Sequence, residues 1–107
     1  LEGEIILQKH FPNSFRETSL EDILKKNGIT NIVFAGMMTH MCVDTTVRAA
    51  FDLGYSSTVV GDCCASKQLI YKNETVNAEE VQTAYLAALN GTFASVVSSE
   101  ELCSIMM

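Results

Sequence analysis

Basic charge is what this sequence has least of. Seven Lys and Arg stand against thirteen Asp and Glu, for a formal charge of −6. No basic patch is visible, which argues against nucleic acid and anionic membrane surfaces as partners. Proline is almost absent, with Pro12 alone. Together with six glycines and 48% hydrophobic residues, this balance fits a globular chain and not a disordered one. No apolar run approaches the roughly 20 residues that cross a bilayer. Residues Leu1–Glu4 (LEGE) lack both the basic and the apolar region of a signal peptide, which implies a cytoplasmic protein. The four cysteines form no CxxC pair and have no histidine cluster beside them. That spacing argues against a structural zinc site and a stapled secreted domain, and reads as reduced thiols in a reducing compartment. There are no repeats, low-complexity tracts or linkers, and 107 residues allow one domain at most.

What is present concentrates in Asn31–Ala65. An apolar run, Ile32-Val33-Phe34-Ala35, leads into Gly36, and a polar elbow follows with Thr39, His40 and Cys42. From Cys42 the apolar period changes to that of a helix, through Val43, Val47, Ala50 and Phe51 to Gly54. A second apolar run, Thr58-Val59-Val60, ends at Gly61-Asp62. The order is strand, elbow, helix, strand, and it sets Cys42 in the first turn of the helix. Unpaired N–H groups and the helix dipole there bias a thiol toward thiolate.

Around this centre the chain alternates. Glu4–Gln8 (EIILQ) reads as a buried strand that ends at Lys9, before Pro12 and Asn13 open a loop. Lys9 thereby falls at the carboxyl end of a strand, the edge where ligands bind in open parallel sheets, although a solvated lysine has the same signature. Thr18-Ser19-Leu20-Glu21 has the form of a capping box, and Leu20, Ile23 and Leu24 give the stripe of a short helix over 19–27, stopped by Gly28. Residues 63–75 read as irregular, with one helical turn around 67–71. Asn77-Ala78-Glu79-Glu80 caps a helix whose stripe is Val81, Ala84, Tyr85, Ala88 and Leu89, and Asn90-Gly91 stops it. Phe93–Ser98 is a last strand, and Ser99 opens a terminal helix. Arg48 and Asp52, four apart, suggest an exposed ion pair. Four strands alternating with helices predict a parallel sheet with right-handed crossovers.

The residues Gly36, Thr39, Cys42-Val43, Thr46, Ala50 and Gly54-Tyr55, followed by a strand ending in Asp62, resemble the signature of the isochorismatase-like cysteine hydrolases. Upstream, Ile5–Lys9 with Asn13-Ser14-Phe15 is similar to that family's lysine strand and loop. The resemblance covers nearly the whole chain. It implies a three-layer α/β/α, Rossmann-like parallel-sheet fold, here truncated to about four strands, with residues 1–107 forming a single, amino-terminally incomplete domain. It further implies that Cys42 is the nucleophile, that Lys9 is the lysine of an Asp–Lys–Cys triad, and that the Met37–Met38 peptide is cis. The backbone N–H groups of Met38 and Cys42 would form the oxyanion hole, and Met37, Thr39, His40 and Phe15 would contact the substrate. The family's aspartate, and the metal-binding residues of its nicotinamidase branch, match no position here. Asp22, Asp44, Asp52 and Asp62 lie elsewhere in the pattern.

The resemblance implies hydrolysis of a C–N bond in a small amide or ureide through a cysteine thioester, with no metal or cofactor in this chain. The partners expected are a small-molecule substrate and further copies of the chain, as a dimer or higher oligomer. The alternative is an inactive remnant that self-associates through exposed sheet edges.

Overall fold

The computed structural model describes residues 3–106. Its framework is a three-layer α/β/α arrangement around a parallel sheet of order β1-β2-β5, in which β1 is Asn31–Met37, β2 is Ser56–Ala65 and β5 is Ser95–Val97. Helix α1 (Leu20–Lys26) precedes β1. A π-helical turn (Thr39–Val43) and α2 (Asp44–Asp52) join β1 to β2. An antiparallel hairpin of β3 (Leu69–Tyr71) and β4 (Glu74–Val76) follows, then α3 (Ala78–Leu89). Helix α4 (Ser99–Met106) ends the described chain.

Local signals in the sequence account for most of these boundaries. At the end of α1 the Gly28 N–H donates to Lys25 O and the Ile29 N–H to Leu24 O. At the end of α2 the Gly54 N–H donates to Phe51 O and the Tyr55 N–H to Ala50 O. Both glycines have positive φ, and both ends are Schellman caps. At α3 the Asn77 carboxamide oxygen accepts the Glu80 N–H at 2.8 Å while Glu80 Oε1 accepts the Asn77 N–H at 3.3 Å, a complete capping box.

Five readings of the sequence need correction. Glu4–Gln8 has strand composition but lies in none of the described strands, and Ile5 and Ile6 are 64% and 87% exposed. A strand needs a neighbour for its ladder, and among the described residues β1 is laddered to β2. Among the described residues the parallel sheet therefore has three strands, not four. The Thr18 capping box does not close: the Thr18 hydroxyl donates to the Ser14 carbonyl and accepts the Leu20 N–H, while Glu21 pairs with Lys25 at 3.2 Å. Residues 67–71 hold no helical turn: Leu69–Tyr71 form the first strand of the hairpin, whose Lys72-Asn73 turn has positive φ at both positions. Arg48 pairs with Asp44 at 3.0 Å and not with Asp52, because helical side chains lean toward the N-terminus. In α3 the buried face is Val81, Gln82, Tyr85, Leu86 and Leu89, while Ala84 and Ala88 are exposed.

The core gathers Val43, Val47, Val59 and Leu89 where α2 and α3 meet β2, with Phe34, Phe93 and Val96 at its margin. Beside it, β1 and β2 lose register. Phe34 lies beside Val59 but Gly36 beside Cys64, so two steps along β1 match five along β2. Gly61 in this bulge is buried so closely that a Cβ would come within 3.2 Å of Leu86 Cδ1 and 3.3 Å of Val96 Cγ1.

Two measurements test this packing. Leu89→Ala should lower unfolding free energy by about 2–5 kcal/mol in denaturant titration, whereas exposed Ile6→Ser should change it by no more than about 0.5 kcal/mol. Asp62 caps α4, accepting the Ser99 N–H at 2.8 Å on Oδ1 and the Ser99 hydroxyl at 2.7 Å on Oδ2. The hydroxyl bond first, then the N–H bond, hold its carboxyl below the ordinary value of 3.8. A carboxyl lowered in the folded state stabilises above its unfolded pKa, and that contribution fades as pH falls through the folded value. Thermal midpoints below about pH 4 should therefore fall less steeply for Asp62→Asn than for the parent chain. Parallel slopes would contradict the cap.

Candidate active site

Strand β1 delivers the chain to the elbow. Its apolar alternation ends at Gly36, the Met37–Met38 peptide is cis, and the π-helical turn begins at Thr39. Within that turn the Met38 carbonyl accepts N–H groups from Met41 at 3.0 Å and Val43 at 3.2 Å. Cys42 thus sits in a wide turn directly before α2, not inside the first turn of a regular α-helix as its spacing suggests. Such single π turns recur at functional sites. Val43 and Thr39 are buried beneath the turn, and Cys42 is half-buried above them.

A cleft of about 330 Å³ opens at this point, lined by Lys9 and Ser14 on one side and by Gly36, Met37 and Cys42 on the other. Phe34, Val43 and Leu20 give it an apolar wall, and Thr46 closes one end. Lys9 and Cys42, 33 positions apart in sequence, therefore face one space. The loop carrying Lys9 is held by short-range bonds: Lys9 Nζ donates to Pro12 O at 2.9 Å, and the Asn13 carboxamide oxygen accepts the Phe15 N–H at 3.0 Å. Thr46, 4% exposed, anchors this loop to α2. Its oxygen accepts the Ser14 N–H at 3.0 Å and lies 3.2 Å from both Pro12 O and Ser14 Oγ.

Of the other residues singled out by the sequence, Met37 lines the cleft and is 68% exposed, while Met38, Phe15, His40 and Thr39 are not among its lining residues. Met38 supplies the carbonyl that the turn closes on. Phe15 stacks on Tyr55, with ring centroids 6.2 Å apart. The His40 ring meets Tyr85 of α3 edge-on at 5.9 Å, and its buried Nδ1 has no protein partner. Thr39 is fully buried and donates to Gln82 Oε1 at 2.6 Å, so it braces the elbow. No carboxylate is among the described residues lining the cleft. Asp62 is engaged by Ser99 and Asp44 by Arg48.

All four cysteines are free. Cys64 differs from Cys42 in setting: it lies against the sheet and donates to Val60 O at 3.4 Å. Burial pushes its thiol above the ordinary value, against a smaller opposing pull from the Gly36 N–H. A thiol so placed favours the neutral form.

Sequence reasoning passed over Gln82. Its Oε1 also accepts the Ser66 hydroxyl at 2.8 Å, and its Nε2 donates to Gly61 O at 3.0 Å and Cys64 O at 3.1 Å. The signal was present in a shifted stripe. Reading Val81, Tyr85 and Leu89 as the face leaves Gln82 flanking it, where a polar residue needs internal partners.

Comparison with known proteins agrees with this geometry. The isochorismatase domain model matches residues 1–101. The uncharacterized isochorismatase family protein YddQ of Bacillus subtilis is 46% identical over 100 residues, which are 94% of this chain and 56% of YddQ. The ureidoacrylate amidohydrolase RutB of Pseudomonas syringae is 29% identical over 102 residues, 95% of this chain and 38% of RutB. A crystal structure from Oleispira antarctica, assigned to the isochorismatase hydrolases, superposes with a TM-score of 0.94 at 43% identity, covering 97% of this chain and 55% of that one. The chain spans about half the length of such relatives. By the domain match over residues 1–101 and the identity to these relatives, the chain belongs to the isochorismatase family of hydrolases.

Proposed function

We propose that this chain carries the nucleophile and lysine of a cysteine hydrolase that cleaves a C–N bond in a small amide or ureide. The observation that carries the reading is the shared cleft of Lys9 and Cys42, with half-buried Cys42 at the mouth of α2. The RutB relative, by name an amidohydrolase of a ureide, supports that substrate class.

Amide carbonyls are weak electrophiles, so the reaction calls for a thiolate, oxyanion donors and a proton relay. The Cys42 thiolate bonds to the carbonyl carbon, and the developing oxyanion is held by the N–H groups of Met38 and Cys42. The C–N bond breaks as the nitrogen takes a proton and leaves as amine or ammonia. Water then attacks the thioester, releasing the acid and returning the thiol. Lys9 favours the thiolate by its positive charge, and Met37 and the apolar wall line the space for the acyl group. No carboxylate is among the described residues lining the cleft, and the proposed relay takes its carboxylate from outside them. The reading places the reaction in the cytoplasm.

A second feature supports association of chains. Ile5, Ile6, Val33 and Met37 are exposed, the last two on β1 at the edge of the described sheet, and such apolar surface drives oligomerisation. The proposal therefore includes a dimer or higher oligomer, and an inactive, self-associated state is the competing reading.

Three results test the account. Cys42→Ala should abolish residual hydrolysis of a small ureide, while Cys103→Ala should not. The 107-residue chain alone should turn over on the order of 10²–10⁴-fold more slowly than a form supplied with the relay carboxylate. Full amidase activity in the isolated chain would overturn that dependence. Alkylation of Cys42 at neutral pH should slow in Lys9→Met and keep the parent rate in Lys25→Met. Equal rates in the parent and Lys9→Met would remove Lys9 from its role.

A further inference from the structure

Gln82 ties three segments together, and the chemistry proposed above makes no use of it. We propose that Gln82 is a positioning residue for Cys42, acting through Thr39, so that α3 fixes the aim of the nucleophile. This role rests on the nucleophile reading of Cys42.

The carboxamide is saturated. Oε1 accepts the hydroxyls of Thr39 at 2.6 Å and Ser66 at 2.8 Å, and Nε2 donates to the carbonyls of Gly61 at 3.0 Å and Cys64 at 3.1 Å. Only this orientation of the amide works, since the two carbonyls accept and cannot donate. Both carbonyls belong to the stretch of β2 where the register with β1 breaks, between Val59 and Cys64. The bulge takes backbone groups out of the regular ladder, and Gln82 gives two of them a partner. Gly61 is in turn buried, with the Leu86 and Val96 side chains packed close against this end of the bridge.

The other end holds the elbow. Thr39 is fully buried, and its hydroxyl donates to Gln82. It opens the π-helical turn in which Cys42 stands three residues later. Bonds inside that turn, from Met41 and Val43 to the Met38 carbonyl, fix its internal shape. They do not fix its rotation against the sheet. The Thr39–Gln82–β2 bridge does, seconded by the His40–Tyr85 ring contact to the same helix. A nucleophile turned slightly off its line of attack reacts much more slowly, which gives the bridge a kinetic consequence.

The test uses p-nitrophenyl acetate on the chain as it stands. The thiolate sulfur bonds to the acetyl carbon, the C–O bond breaks, and nitrophenolate leaves with the electron pair. No proton is needed by the leaving group, so the burst reports the thiol without the relay. Peptide mass mapping locates the acetyl group. Thr39→Val and Gln82→Met should each slow acylation of Cys42 by about tenfold or more, and Thr39→Ser should return it to near the parent rate. Ser66→Ala, which removes an equal hydrogen bond from the same Oε1, should leave the rate unchanged. Parent-like rates in both Thr39→Val and Gln82→Met would overturn the role, as would equal slowing in Ser66→Ala. If Gln82→Met does not fold, Thr39→Val against Ser66→Ala decides alone. A parent Cys42 acylated no faster than exposed Cys63 would instead remove the nucleophile reading, and this role with it.

Discussion

The loss of register between β1 and β2 is the constraint on which the cleft depends. Two parallel strands in step would carry their ladder straight to the carboxyl edge and leave no room for a turn such as Thr39–Val43. Here the ladder slips after Phe34 and Val59, and β2 bulges toward α3. Past the slip β1 ends at Met37, paired with Ala65, and the elbow follows. The slip also puts the carbonyls of Gly61 and Cys64 within reach of one amide side chain. Because that amide also holds Thr39, the irregularity of the sheet and the placement of Cys42 are one structural event.

Around it, ordinary packing does the stabilising. Val47, Val59 and Leu89 are fully buried, and the two Schellman caps set the lengths of α1 and α2. A second polar bridge, Thr46 to the Pro12–Ser14 segment, brings the Lys9 loop to the mouth of α2. Two buried threonines thus hold opposite sides of the cleft. Thr46 sets the lysine side, and Thr39 sets the thiol side. The outer face of β1 is left bare, with Val33 51% and Met37 68% exposed, in a chain that spans about half the length of its relatives.

Much of this was legible in the sequence because it is written locally. The Asn77 box, the stops at Gly28 and Gly54, and the period change at Cys42 each depend on neighbours a few residues away. The family resemblance over Gly36 to Tyr55 implied the cis Met37–Met38 peptide that the structure has, and the upstream lysine strand implied a Lys9 that lines one cleft with Cys42. What could not be read is non-local. Glu4–Gln8 has the composition of a strand, but composition does not supply the partner that a ladder requires. The hairpin at 69–76 was hidden because its signal is a Lys72-Asn73 turn and not the usual glycine pair. Gln82 escaped because its meaning lies in four partners drawn from two distant stretches, the elbow and residues 61–66.

The central claim is that Cys42, of four free thiols, is the one built to attack a carbonyl. It is tested most directly by incubating the chain with a small activated ester, quenching with acid, and mapping the acyl group by peptide mass spectrometry. The account predicts acylation of Cys42 well ahead of Cys63, Cys64 and Cys103, even though Cys63 and Cys103 are the more exposed. Labelling that instead follows exposure, with Cys63 and Cys103 ahead of Cys42, would contradict it.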